Sequence, residues 1–203
     1  MEPLDKTPWR FIFPGVGQVV DSDSLQDALR QAPHILVTSY AQPDVVLRDV
    51  GGLEAEGQMP PTNYIANYAD KLLLISASQK PEGDSLRITL RWYCTAPVTQ
   101  ETSVFVHLYD SENRLAAQAD GYPLLNMARM VSWRPGDMWR DIRFLALPED
   151  ETSGRYILKI GLYPIAGGPR LSAFSPTGER FVDDAVPITT LELPLDPRER
   201  NEH

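Results

Sequence analysis

The residues of this chain that could carry acid–base, nucleophilic or metal chemistry are few: three histidines, one cysteine and 28 Asp plus Glu in 203 residues. His203 is the last residue, so histidine catalysis would rest on His34 or His107. His107 stands between Phe105 and Tyr109 in an apolar run and reads as a packed, hydrogen-bonded side chain; His34, after Pro33, reads as structural too. A serine nucleophile needs a strained strand-to-helix elbow, and no G-x-S-x-G occurs. Pro14-Gly15-Val16-Gly17-Gln18 lacks the third glycine of a dinucleotide fingerprint and the Lys-Ser/Thr of a phosphate loop, which leaves a turn. The lone Cys94 excludes an internal disulfide and a multi-cysteine zinc site, and it reads as a small core hydrophobe, because a reactive thiol needs an electropositive, accessible setting. No catalytic residue and no cofactor is assigned.

Carboxylates cluster at Asp21/Asp23, Glu149-Asp150-Glu151 and Asp183-Asp184 without the spacing of a calcium-binding helix–loop–helix, and they read as solvated turns. No metal ligand is assigned, although Asp110, Asp120, Asp137 or Asp183 pooled at one end of a sandwich would leave calcium as an alternative. The aromatic residues are more informative. Trp92 reads as the core anchor, whereas Tyr93, Tyr122, Trp133, Trp139 and Tyr163 fall on loops or outward positions, where flat rings could stack on sugars. Trp133 and Trp139 flank the Arg134-Pro135-Gly136 turn, so Trp133, Trp139, Tyr122 and Arg134 are the candidate ligand-binding residues. Their competing reading is as a cover for the end of the core or for the junction with the N-terminal piece.

The elements that must position these residues are mostly strands. Leu86, Ile88, Leu90, Trp92 and Cys94 alternate with Arg87, Thr89, Arg91 and Tyr93, the period of a half-buried strand. Tyr156, Leu158, Ile160 and Leu162 alternate likewise, and Ile142, Phe144 and Ala146 alternate with Arg143 and Leu145, each strand having one wet face. Val104 to Tyr109 is apolar or aromatic except His107, as suits a central strand covered on both faces. Leu72 to Ile75, Leu115 to Gln118 and Ala185 to Leu193 read as further strands, the last at an edge because of Pro187. Turn residues at Glu82-Gly83-Asp84, Asp110 to Asn113, Arg134 to Asp137, Thr152-Ser153-Gly154 and Ala166 to Pro169 separate the runs, so seven or eight strands form two antiparallel sheets over one core.

Upstream, Ser24-Leu25-Gln26-Asp27 has the form of a capping box before a short helix that Pro33 stops, and His34 to Tyr40 and Val45 to Val50 read as strands. Gly51 to Asn63 is the linker candidate. The expected fold is mainly β: a two-sheet antiparallel β-sandwich, Ig-like or jelly-roll-like, at residues 63–196. A small α/β segment at residues 1–62 packs on it, and residues 197–203 form a disordered tail. A net charge of −9, with four basic and ten acidic residues in the first 70, argues against nucleic acid as a partner. No signal peptide or membrane span is visible, so the chain as given reads as soluble, and an extracytoplasmic site of action would require it to belong to a longer polypeptide.

Leu90-Arg91-Trp92, Ala96-Pro97, Val104 to Asp110, Ala117 to Gly121, Ser132 to Asp137, Arg140-Asp141, Leu147-Pro148, Gly154-Arg155-Tyr156 and Gly161-Leu162-Tyr163 carry a resemblance in order and spacing. Residues 71–175 resemble the β-sandwich domain at the extracytoplasmic C-terminus of bacterial membrane proteins related to dolichyl-phosphate-mannose-protein mannosyltransferases. Pro33 to Gly52 is similar to the soluble segment preceding it. Ser111-Glu112-Asn113 departs from that family's Asp-Gly turn. The resemblance implies a non-catalytic accessory module outside the cytoplasmic membrane, with transferase chemistry belonging to a membrane portion. The expected partners are glycan or glycolipid, a protein, or the membrane domain of the parent polypeptide. A purely structural assembly domain and a carboxylate-based hydrolase are the alternatives.

Overall fold

A computed structural model describes residues 9–12, 22–31, 34–39, 46–147 and 153–194. In chain order they form β1 (Trp9–Ile12), α1 (Ser22–Arg30), β2 (Leu36–Ser39), β3 (Val46–Asp49), β4 (Gly51–Ala55), β5 (Ala66–Tyr68), β6 (Leu72–Glu82) and β7 (Ser85–Cys94). There follow β8 (Thr102–Tyr109), β9 (Leu115–Gln118), β10 (Met138–Ala146), β11 (Gly154–Pro164), β12 (Ala173–Phe174) and β13 (Val186–Leu193). Two antiparallel sheets make the expected sandwich, one in the order β12-β5-β6-β7-β10-β4 and the other β13-β11-β8-β9. β1, β2 and β3 form a separate three-stranded sheet. Pro14 to Gln18, Asp21, Pro33, Glu149 to Glu151 and the expected tail lie outside the described residues.

Alternation places the core as expected in most strands. Leu86, Ile88, Leu90, Trp92 and Cys94 on β7 are fully buried, facing Leu158, Ile160 and Leu162 of β11 and Val104, Val106 and Leu108 of β8. β8 lies between β11 and β9 and is buried on both faces. β13, which carries Pro187, is an edge strand. The Tyr68 hydroxyl on β5 crosses the core to donate to the Ile160 carbonyl on β11 at 3.1 Å, tying one sheet to the other. Burial pushes this phenol well above its ordinary range, so it remains a donor.

Three expectations need correction. Gly51 to Ala55, read as the start of a linker, is β4, an edge strand of the six-stranded sheet paired with β10. The approach is close: a Cβ on Gly51, whose φ is +104°, would stand 1.8 Å from the Arg140 carbonyl oxygen. Helix α1 begins at Ser22, so Ser24 lies inside the helix rather than at its cap. On β10 Ile142 is buried, but Phe144 and Ala146 are not, and the face that carries the charges turns inward. Trp139 is directly opposite Trp92 and therefore shares its inward face, which carries Asp141, Arg143 and Leu145 inward with it. Phe144 is left half-buried under the Arg48 guanidinium, and Ala146 is exposed.

Helix α1 lies against the end of the sandwich. Ala28 and Leu29 are buried in the common core, and Gln26 donates from Nε2 to the Met127 carbonyl at 2.9 Å while its Oε1 accepts from Ser132 Oγ at 3.0 Å. Tyr68→Phe removes the cross-sheet donor from a buried carbonyl, and a loss of about 1–2 kcal/mol in urea unfolding is expected. An unchanged midpoint would show that the two sheets are not coupled through this bond.

Candidate functional site

The loop between β9 and β10 was the best candidate for a binding surface, and its geometry is that of a sealed end of the core. Arg134 to Asp137 form a tight turn closed by the Asp137 N–H on the Arg134 carbonyl at 3.0 Å. Gly136, with φ +91°, permits the turn, since a Cβ there would stand 2.8 Å from the Gly57 Cα. The Asp137 carboxylate is buried and accepts from the Arg134 N–H at 2.7 Å and from both Nη atoms of Arg30 on α1, at 2.6 and 2.9 Å. Arg30 also pairs with Glu56, and these bonds raise its pKa. The turn thus latches the helix.

Trp133 and Trp139 stack face to face across this turn, ring centres 5.2 Å apart and planes within 7°. They are only 2% and 1% exposed. The expectation that they stand outward is corrected: each indole presents a face to the other, and neither offers a platform to a sugar ring. Tyr122 is half-buried, its backbone N–H donating to Asn126 Oδ1 at 2.8 Å. Of the four candidate ligand-binding residues Arg134 alone is exposed. Tyr93, also expected to face outward, is buried, and its hydroxyl donates to the Gln58 carbonyl at 2.8 Å. Tyr163 is half-buried and stacks on Phe105.

Behind the tryptophans lies an ion pair that alternation on β10 placed on the wrong face. Arg143 is 4% exposed and donates from Nε to Asp141 Oδ2 at 2.7 Å, from Nη1 to the Ala119 carbonyl at 3.0 Å and from Nη2 to the Gly121 carbonyl at 2.9 Å. The other oxygen of Asp141 accepts from the Leu124 N–H at 2.8 Å. Leu124, Leu125 and Asn126 all have φ between 51° and 69°, a left-handed turn that branched side chains seldom adopt and that the surrounding bonds hold in place. The signal was in the sequence: Trp139 and Leu145 share parity with Asp141 and Arg143.

The outer face of the four-stranded sheet gathers the remaining chemistry. Along β8, Phe105, His107 and Tyr109 make a continuous row, with ring centres 4.7 and 5.8 Å apart. His107 Nε2 is 3.1 Å from the Asp120 carboxylate and Nδ1 is 3.0 Å from the Tyr109 hydroxyl. Each ring nitrogen of His107 thus has a hydrogen-bond partner within the fold, the donor and acceptor roles following the tautomer. Lys159 stands over the Tyr109 ring at 4.9 Å and Arg170 over the Phe105 ring at 4.3 Å. Gly161 leaves room for the Phe105 ring, which would meet a Cβ there at 2.2 Å.

His34 is exposed, and its Nδ1 is 2.7 Å from Arg140 Nη2. Cys94 is fully buried and its thiol is pushed up to about 12, chiefly by burial. The carboxylates considered for calcium are dispersed among separate partners. Asp110 accepts from the Arg114 Nε and N–H, which hold it below the ordinary carboxylate range. Asp120 serves His107, and Asp137 serves Arg30. Asp183 occupies a left-handed position in the turn before β13, and beside it Asp184 takes both Nε and Nη2 of Arg180 at 2.8 Å. Among the described residues no three His, Cys, Asp or Glu side chains are grouped to hold a metal ion. No known protein-family profile matches the chain, and no curated protein does. Among the described residues no helix is long and apolar enough to cross a membrane.

Two outcomes follow. Trp139→Ala should cost about 3–5 kcal/mol of stability as a large core truncation, read by chemical denaturation; a cost below about 1 kcal/mol would place the indole outside the core. Asp184, held below its ordinary range by Arg180, stabilises the fold above the unfolded carboxylate pKa, and that stability is lost as pH falls through the folded value. Asp184→Asn should therefore be less stable than the parent at pH 7, by about 1–3 kcal/mol, with the gap narrowing below about pH 4. A gap that is the same at both pH values would refute the ionic role.

Proposed function

We propose that the chain is a non-catalytic accessory module of a longer membrane polypeptide, acting at the extracytoplasmic face through assembly or recognition rather than turnover. The observation that carries this reading is the engagement of the reactive side chains. Both nitrogens of His107 are bonded within the fold, Cys94 is buried with a raised pKa, and Asp137, Asp141 and Asp184 are each locked by an arginine. A nucleophilic thiol needs an accessible, electropositive setting, and a hydrolytic carboxylate pair needs an open cleft between its members. The resemblance of residues 71–175 supports the extracytoplasmic placement, and the sealing of the Trp133–Trp139 stack favours assembly over sugar stacking at that end.

The purified chain, incubated with chromogenic glycosides, esters and phosphoesters, is expected to show no turnover above the uncatalysed rate. Turnover that disappears in His107→Gln would overturn the reading. Placement is checked by the flanking genomic sequence: membrane helices encoded upstream are expected, and a free-standing reading frame without any would contradict it.

A further inference from the structure

We infer that β13, an edge strand of the four-stranded sheet, pairs edge to edge with β13 of a second copy of this chain, giving a two-fold dimer in which the two four-stranded sheets run on as one. The inference rests on the reading that this module acts through assembly, and it names the partner.

A sheet edge exposes a row of backbone donors and acceptors, which a fold either covers or leaves to pair with another strand. The two sheets of the sandwich have four edges, and three are covered or cut short. Along β12 the chain folds back, the Ser175 N–H donating to the Glu179 carbonyl at 2.7 Å and the Phe181 N–H to the Ala173 carbonyl at 2.9 Å. At the start of β4, Ile35 exchanges bonds of 2.8 and 2.9 Å with Gly51 and Val50. β9 is only four residues long, and beyond it Arg143 takes the carbonyls of Ala119 and Gly121. β13 is eight residues long, and among the described residues no backbone bond reaches its outer edge. Its blunting devices, Pro187 and the bulged Ile188, sit at one end, and Thr189 to Leu193 lie beyond them in unbroken register with β11.

The open stretch is its own complement. Leu191 lies opposite the buried Tyr156 and shares its inward face, yet it is only half-buried, as an inner residue is when no strand flanks it. Thr190 and Glu192 are exposed on the outer face. In an antiparallel pairing about a two-fold axis through Leu191, that residue meets Leu191 of the second copy, Thr189 meets Leu193, and Thr190 meets Glu192, so every opposed pair shares a face. The inner row thereby gains apolar contact and Leu191 is covered. Charge fits as well: Glu192 is the one charged residue of β13, it would face a neutral threonine, and its cross-strand neighbour on β11 is Arg155. An axis through Thr190 would instead set Leu193 against Pro187, which has no N–H to donate, and Glu192 against the bulge. An unrelated extended peptide would gain the same backbone bonds, but a second copy brings the matching side chains with it.

The test is sedimentation of the intact chain over a concentration series, together with backbone amide exchange on β13. A reversible dimer is expected to form below about 1 mM, and exchange at the alternate residues of Thr189 to Leu193 whose N–H groups face outward should slow as concentration rises. Thr190→Glu sets like charges opposite each other twice and should weaken the dimer about three- to tenfold, whereas Thr190→Lys faces Glu192 and should tighten it by a similar factor. Thr190 is exposed, and unfolding midpoints of the dilute variants confirm that both are folded. A monomer at every concentration, or a dimer indifferent to both substitutions, overturns the assignment. Outward amides that are already slow in the dilute chain would show that the chain covers its own edge, and overturn it too. A monomer without turnover leaves the accessory-module reading standing, whereas hydrolytic turnover would remove that reading itself.

Discussion

An arginine buried between two sheets must have every donor satisfied, because an unpaired charge in a low-dielectric interior costs several kcal/mol. Arg143 answers that demand with one bond from each of its three nitrogens, to Asp141 on its own strand and to the carbonyls of Ala119 and Gly121 beyond β9. Asp141 in turn holds the Leu124 N–H, so one side-chain pair joins β10 of the larger sheet to the chain leaving β9 of the smaller. The left-handed turn at Leu124 to Asn126 is fixed by this network, and the same loop continues through Met127, Arg129 and Ser132, where Gln26 of α1 is held. Helix, loop and sandwich are therefore one packed unit at this end.

The pattern repeats through the molecule. Groups that look reactive in the sequence serve as fasteners in the fold: Asp137 latches Arg30, Asp184 clamps Arg180 and receives the Ala173 N–H, and Asp120 steadies His107. The indoles are similar. Trp92, Trp133 and Trp139 are buried, and their N–H groups find no acceptor among the described residues, so apolar area and ring stacking outweigh an unmade bond at each. On the outer face of the four-stranded sheet Phe105 and His107 are themselves buried, and Arg170 and Lys159 stand over the rings of Phe105 and Tyr109.

Much of the fold was legible because period-two alternation reports burial directly when one face of a strand is wet. β7 and β11 were read correctly in this way, and the edge position of β13 followed from Pro187. β10 was misread because a charged residue was assumed to face water, although the parity of Trp139 and Leu145 already pointed inward. β4 was hidden because two adjacent glycines look like a linker, whereas Gly51 in fact permits close strand approach. The tryptophan loop was misplaced for a different reason: turn chemistry at Arg134-Pro135-Gly136 is readable locally, but the helix that covers it comes from residues 22–30, and no local pattern announces that contact. His107 was rightly read as packed and hydrogen-bonded; its partner Tyr109 follows two residues along the same strand, whereas Asp120 depends on the pairing of β8 with β9.

A double-mutant cycle on Asp141 and Arg143, measured by denaturant unfolding, addresses the central claim most directly. With Asp141→Leu and Arg143→Met, each single variant should lose about 3–5 kcal/mol, and the double variant should lose less than the sum by about 2 kcal/mol. Strictly additive losses, or single variants within about 0.5 kcal/mol of the parent, would contradict the account that buried charge fastens the two sheets together.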